Sequence, residues 1–404
     1  MSCYSFNIDY KSLACELCYI GSKYDTDKSS LRKNVTNERH CHPYTLFYNA
    51  LFKNQKNNNL NVAEIGILNG SSLLMWREYF NNSKIYGFEY NNDLINSFKN
   101  KYNNNNIILS NINVKDKNNI KNVFNNLNKK YDIIIDDSTH EFEDQINVIQ
   151  NTYKYLNDGG VLIIEDIFKK YNESDYINRL SAILCNFQEY YFVSLEHNRK
   201  NSFGWNNDKL FILVKNGKKI FNNTKKMTVI TPSYRLDNLL KIKENLNFDY
   251  IDEWIIVYDG NKITKIPNLF LNEPKIKEYI CNDEGISGNP QRNFALNKIT
   301  NEDTYLYYLD DDNLIHPDLY KLMNIIGNEK ICTFNQKNRI NGDKIELGLI
   351  DTAMILIDFK LCKNIRWIID KYEADFFYIE SCYSKNKFNF MYVNNDLCYY
   401  NNIN

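Results

Sequence analysis

The chain has 404 residues, more than one ordinary core accommodates, with 49 Lys and Arg against 50 Asp and Glu and a net charge of -1. That balance excludes the basic excess of a nucleic-acid or anionic-membrane binder. Hydrophobic residues at 43%, with 14% aromatic, supply enough apolar surface for globular cores.

The first residues lack the basic start and long apolar stretch of a secretory signal, and no apolar run is long enough to span a bilayer. With ten scattered cysteines, this predicts reduced thiols and a cytoplasmic setting. Cys15 and Cys18 stand three residues apart, and His40-Cys41-His42 follows. The pair reads either as small apolar residues on one face of an N-terminal helix or as half of a structural zinc site.

From Asn61, short apolar runs alternate with longer polar, helix-like stretches. The runs are Val62–Ile65, Lys84–Glu89, Ile107–Leu109, Tyr131–Ile135, Gly160–Ile164, Tyr191–Val193 and Leu210–Val214. This rhythm predicts a parallel sheet covered by helices, with ligands bound beyond the carboxyl ends of its strands. At those ends stand Gly66 and Gly70, whose turn lets a ligand approach the backbone, and Glu89, suited to a ribose diol. Further on, Asp136-Asp137-Ser-Thr-His140 and Glu165-Asp166 end neighbouring strands. Converging carboxylates with a histidine suit an oxygen-ligated divalent cation and a general base.

These motifs, in this order, resemble a class I S-adenosyl-L-methionine-dependent methyltransferase over residues 20–216. Thr26-Asp27-Lys28 and His42-Pro-Tyr44-Thr-Leu-Phe-Tyr48 narrow the resemblance to metal-dependent sugar O-methyltransferases of the macrolide-tailoring type. The resemblance implies that Glu64, Gly66 and Gly70 line the methionine end of S-adenosylmethionine, that Glu89 holds its ribose and that Asn111 lies near the adenine. It implies Mg2+ on Asp137, Glu165 and Asp166, with Asp136 the alternative to Asp137, and His140 as base. Ser110-Asn111 departs from the Gly-Asp common in that family. Trp205 is either a wall of the sugar pocket or a core aromatic.

The polar, basic stretch 219–226 predicts a short linker between a methyltransferase domain at 1–218 and a second domain at 227–404. In the second half, Thr231-Pro-Ser-Tyr234-Arg235 closes one strand and Asp259-Gly260 the next. Gln291-Arg292-Asn293 lies on a helix begun by Pro290, and the aromatic run Tyr305–Leu309 ends in Asp310-Asp311-Asp312-Asn313. This ordered set resembles a GT-A type, family-2-like nucleotide-sugar glycosyltransferase, over residues 227–395. The resemblance implies Mn2+ or Mg2+ on Asp312. It implies donor contacts from Thr231, Tyr234, Arg235, Asp259, Arg292, Asp310 and Asp311. Asp375 is the implied base for inverting transfer, with Glu380 and then Glu373 behind it.

The expected fold is therefore α/β in two domains, a Rossmann-like seven-stranded methyltransferase fold followed by a GT-A fold. The expected function is bifunctional: sugar transfer from a nucleotide-sugar donor to a glycan acceptor, and O-methylation of a sugar hydroxyl. The alternatives are a single glycosyltransferase whose other domain is a binding or structural module, and an assembly protein with inherited folds. Neither nucleic acid nor a membrane span is expected, and homo-oligomerisation is left open.

Overall fold

The computed structural model describes residues 2–8, 14–29, 31–32, 41–102, 106–197, 206–217, 225–323, 326 and 330–403. His40, Trp205 and most of the expected linker lie outside the described residues. The chain divides into two compact units, Met1–Asn222 and Asn223–Asn404. No helix among the described residues is long and apolar enough to cross a membrane.

The first unit contains strands β1 (Ser2–Ile8), β2 (Asn61–Ile65), β3 (Lys84–Glu89), β4 (Ile107–Asn111), β5 (Tyr131–Asp136), β6 (Leu156–Ile164), β7 (Phe187–His197) and β8 (Lys209–Lys215). Seven of them form a Rossmann-like sheet in the order β7-β8-β6-β5-β2-β3-β4, and β1 pairs parallel to β7. β5 is buried along its whole length, as its Ile133–Ile135 run requires of a strand covered on both faces. The flanking helices have local start signals. Asp116 accepts the Asn118 N–H at 2.8 Å ahead of the helix Lys117–Leu127, which ends on left-handed Asn128. Phe124 of that helix stacks on Phe88 of β3 at 4.9 Å and so seats the helix on the sheet.

The expectation of a wholly parallel sheet is corrected at one strand: β8 runs antiparallel to both β6 and β7. The connection 198–208 is shorter than a parallel crossover needs, so the chain returns as an antiparallel neighbour. The strand order reverses between β2 and β5, which places a binding crevice at their carboxyl ends.

The second unit contains β9 (Lys226–Ser233), β10 (Ile251–Asp259), β11 (Ile276–Cys281), β12 (Thr304–Tyr308), β13 (Ile331–Gln336), β14 (Ile355–Asp358) and β15 (Phe390–Cys398). Their order is β11-β10-β9-β12-β14-β13-β15. The first four are mutually parallel, β14 runs antiparallel to β12 and β13, and β15 returns parallel to β13. β12 is buried throughout, so the apolar run stops where Asp310 brings the backbone out. Tyr308 at its end shares a 2.7 Å hydroxyl hydrogen bond with Tyr378, and Tyr378 stacks on Trp367 at 4.4 Å. These contacts fix the helix Ala374–Lys385, and with it Asp375, against the carboxyl end of β12.

Two candidate active sites

In the first unit, parallel pairing of β5 with β6 brings Asp136, Asp137, Glu165 and Asp166 to one end of the sheet. Asp136 points inward: it is buried, its Oδ1 accepts from Ser138 Oγ at 2.6 Å, and burial pushes its carboxyl up to about 7. Asp137 is half-buried and converges with His140 and Asp166, and one ligand atom from each lies within 4.8 Å of the others. His140 and Asp166 both hold left-handed backbones, at φ of 59° and 56°. Non-glycine residues adopt that conformation at a cost, and such outliers cluster at functional sites.

The cluster is held from behind by Lys28, His42, Tyr44 and Tyr48, all within the two stretches that narrow the resemblance. Lys28 is buried, with Nζ 2.5 Å from Asp137 and 3.3 Å from Glu64, and it donates to Glu165. The three carboxylates hold its ammonium well above the usual lysine range, against the opposing pull of burial. Tyr48 donates to the second oxygen of Glu165 at 2.5 Å, so both Glu165 oxygens have partners. Tyr44 donates to Asp166 at 2.5 Å. His42 stacks on Tyr44 and lies 2.8 Å from Asp208. Burial alone would lower His42, but Asp166 and Asp208 raise it to about 9, so it is an imidazolium at neutral pH. Two buried cations thus balance the acidic end of the sheet.

The expected cofactor residues lie at the carboxyl ends of β2, β3 and β4 or just past them. Glu64 is fully buried, accepts from Ser72 Oγ at 2.7 Å and is pushed to about 7 by burial. Gly66 and Gly70 both hold left-handed backbones. A Cβ at Gly66 would stand 2.2 Å from the Asp137 carbonyl oxygen, so this turn and the acidic cluster are in backbone contact. The Glu89 carboxylate accepts from the N–H groups of Ile67, Leu68 and Asn91 at 2.9–3.2 Å, bracing the glycine turn. Asn111 is exposed and donates to the Tyr90 carbonyl at 2.6 Å.

In the second unit, a cleft of about 830 Å³ opens over the carboxyl ends of β9, β10 and β12. Tyr234, Arg235, Asp259, Arg292, Asp310, Asp311, Asp312 and Asp375 all line it. Arg292 is buried; it donates to Asp310 at 2.5 Å and to the Ser287 carbonyl at 2.6 Å, and it lies 4.7 Å over Trp367. Arg235 bridges Asp311 and Asp312 at 2.8 and 2.7 Å. Burial and the neighbouring Asp310 both raise Asp312.

Two residues take places other than those expected. Thr231 lies inside β9, fully buried, with its hydroxyl accepting from Trp254 Nε1 at 2.9 Å, because the strand continues to Ser233 before the backbone reaches the cleft. Asp311 is buried and accepts from Ser233 Oγ, the N–H groups of Tyr234 and Arg235, and the Arg235 guanidinium. Its carboxylate therefore shapes the loop after β9. Among the three acidic residues near the last helix, Asp375 and Glu373 line the cleft. Glu380 lies farther along the helix and accepts from Ser384 Oγ. Burial raises Asp375 to about 6.

Asp351 also lines the cleft, paired with Arg339 at 3.3 Å and raised by burial and by Asp310. No spacing in the sequence marks it as a partner of Asp310.

Residues 56–227 match a family model described as a methyltransferase domain. Comparison with curated proteins gives no match. Among solved structures, the chain is similar to MycE methyltransferase from the mycinamycin biosynthetic pathway, in complex with Mg and SAH, at 19% identity and a TM-score of 0.38. That similarity covers 51% of this chain and 56% of MycE, so the chain spans little more than half of that relative's length. It is also similar to Methanococcus jannaschii fibrillarin, at 16% identity and a TM-score of 0.30, covering 40% of this chain and 69% of that one. Similarity to S. aureus TarS 1-349 is 16% with a TM-score of 0.33, covering 43% of this chain and 60% of that one. At these values the structural likenesses carry no inference about substrate. The residues matched by the family model take in β2 to β8, which form the Rossmann-like sheet.

Proposed function

We propose that the chain is a bifunctional glycan-modifying enzyme: its first unit methylates a sugar hydroxyl with S-adenosylmethionine, and its second transfers a sugar from a nucleotide-sugar donor to a glycan acceptor with inversion. The observation that carries this reading is that each unit gathers carboxylates and a candidate base at the carboxyl ends of its parallel strands.

In the first site Asp137 and Asp166 would hold magnesium, with Glu165 as the third expected ligand. The convergence of Asp137, Asp166 and His140 within 4.8 Å fits a small hard cation. Bound there, the metal supplies a Lewis acid that makes a sugar hydroxyl easier to deprotonate. His140 takes the hydroxyl proton as the oxygen attacks the methyl group in line with the sulfonium. Lys28, Tyr44 and Tyr48 fix the carboxylates so that none must reorganise during the step. Glu64 and the Gly66–Gly70 turn cradle the methionine end, with Glu89 and Asn111 toward the nucleoside.

In the second site Asp312 would hold manganese or magnesium. The mutual repulsion of Asp310, Asp312 and Asp351 fits a cation among them. The ion supplies charge neutralisation for the departing diphosphate. Asp259, Tyr234 and Arg235 take the nucleoside side, and Arg292 aims Asp310 at the ribose. Asp375 receives the acceptor proton; at about 6 it is ionised at neutral pH and more basic than an ordinary carboxylate.

A second reading keeps the sugar transfer and makes the first unit a binding module. The engagement of both Glu165 oxygens by Lys28 and Tyr48 favours it. Both readings are tested by incubating the protein with S-adenosylmethionine, a panel of nucleotide sugars and glycan acceptors, and weighing the products. Sugar and methyl additions support the bifunctional reading; sugar alone supports the second; neither, across a broad panel, counts against both.

A further inference from the structure

Cys15 and Cys18 play no part in either chemistry proposed above, yet the fold brings their sulfurs together. Cys15 is the N-cap of the helix Glu16–Lys23, and Cys18 lies in its first turn. Their sulfurs are 3.1 Å apart. Residues three apart at a helix start present their side chains on one face, at a Cα separation that a disulfide accepts. Cys15 is half-buried and so reachable, whereas Cys18 is buried.

The pair is wired to the methyl-transfer site through one residue. Thr45 Oγ1 donates to Cys18 Sγ at 3.2 Å, and Cys15 Sγ donates to the Thr45 carbonyl at 3.6 Å. The Thr45 N–H donates to the Lys28 carbonyl at 3.0 Å. Thr45 therefore sits between Lys28, which holds Asp137 and Glu165, and its neighbour Tyr44, which holds Asp166. Ser29 Oγ adds a 2.8 Å bond to the Cys18 carbonyl.

We propose that Cys15 and Cys18 form a thiol–disulfide couple whose oxidation loosens the carboxylate scaffold of the methyl-transfer site, with Thr45 as the positioning residue between them. The oxidant is a low-molecular-weight disulfide such as oxidised glutathione. The Cys15 thiolate attacks one sulfur of that disulfide and expels the first glutathione thiolate. The Cys18 thiolate then attacks the Cys15 sulfur of the mixed disulfide and expels the second. The two thiol protons end on the two glutathiones, and two electrons pass from the protein to the oxidant. Bond formation draws the sulfurs from 3.1 Å to about 2.05 Å. It also removes the Cys15 thiol proton that Thr45 had accepted.

The coupling, though not the disulfide, rests on the methyl-transfer reading. The full chain is equilibrated in glutathione redox buffers, quenched with acid, alkylated and mapped by peptide mass, with methyl transfer to a glycan acceptor measured in parallel. The expected result is a Cys15–Cys18 peptide lacking two hydrogens and bearing no alkyl label. Methyl transfer falls about tenfold on oxidation, as when a group behind a metal ligand is disturbed. Cys15→Ser, and separately Cys18→Ser, abolish both the bond and the oxidative loss. The proposal is overturned if both thiols stay alkylatable in buffers that modify exposed Cys185. It is equally overturned if the protein retains stoichiometric zinc that protects the pair, or if the bond forms without any change in rate. A reduced protein with no methyl transfer at all refutes the functional reading instead, and the peptide map still decides the couple.

Discussion

The ammonium of Lys28 stands 2.5 Å from the carboxylate of Asp137, 109 residues away in sequence, and both belong to the acidic cluster of the first unit. Lys28 also reaches Glu64 and Glu165 and is itself buried. Removing one member of such a group leaves the others as uncompensated buried charges. Lys28→Met is expected to lower the unfolding free energy by about 3–5 kcal/mol at neutral pH, measured by urea denaturation. An unchanged midpoint would mean that the carboxylates do not depend on it.

His140 reaches toward Asp166, at 3.7 Å, and stands beside the candidate metal ligands rather than among the cofactor residues. His140→Ala is expected to reduce methyl transfer by about 10²–10⁴-fold, the usual loss for a general base. S-adenosylmethionine affinity by calorimetry should stay within a few-fold of the parent. Retained methyl transfer would remove His140 from the base role.

Asp375 carries a pH signature of definite sign. Burial raises its carboxyl from 3.8 to about 6, so the folded chain binds the proton more tightly than the unfolded one. Its contribution to stability is full below about pH 4 and is lost as pH rises through about 6. Asp375→Asn should therefore leave stability unchanged at pH 3.5 and raise it by about 1–2 kcal/mol at pH 8, allowing for partial solvent access. The same substitution should cost sugar transfer about 10²–10⁴-fold. In the parent, transfer should fall about tenfold per pH unit below about 6. A profile flat down to pH 5 would assign the base elsewhere.

Gly66 ties the glycine turn after β2 to the acidic cluster after β5. Its φ of 85° and the 2.2 Å approach of a built Cβ to the Asp137 carbonyl leave no room for a side chain. Gly66→Ala should destabilise the fold by more than about 1 kcal/mol, seen in thermal unfolding, and weaken S-adenosylmethionine binding in the same variant.

Much of this architecture was legible in the chain, and the illegible parts share a cause. The buried runs Ile133–Ile135 and Tyr305–Leu309 announced central strands because both faces of such strands are covered. Acidic residues just past their ends could be placed at a mouth by topology alone. The direction of β8 was not legible, since the apolar run Tyr191–Val193 stops short of the end of its strand, which continues to His197 and so shortens the connection. Nor were the inward turns of Thr231 and Asp311, because a side chain's direction at a strand end depends on where pairing stops. Lys28 and Asp351 act across long sequence separations, and only the fold brings them to Asp137 and Asp310.

If one chain carries two separate chemistries, product mass separates them. Wild-type protein, His140→Ala and Asp312→Asn are each given S-adenosylmethionine, nucleotide sugars, a divalent cation and a panel of glycan acceptors. The expected products are sugar and methyl additions by the wild type, sugar alone by His140→Ala, and methyl alone by Asp312→Asn. A wild type that adds neither group, or two variants that each lose both, would contradict the bifunctional reading.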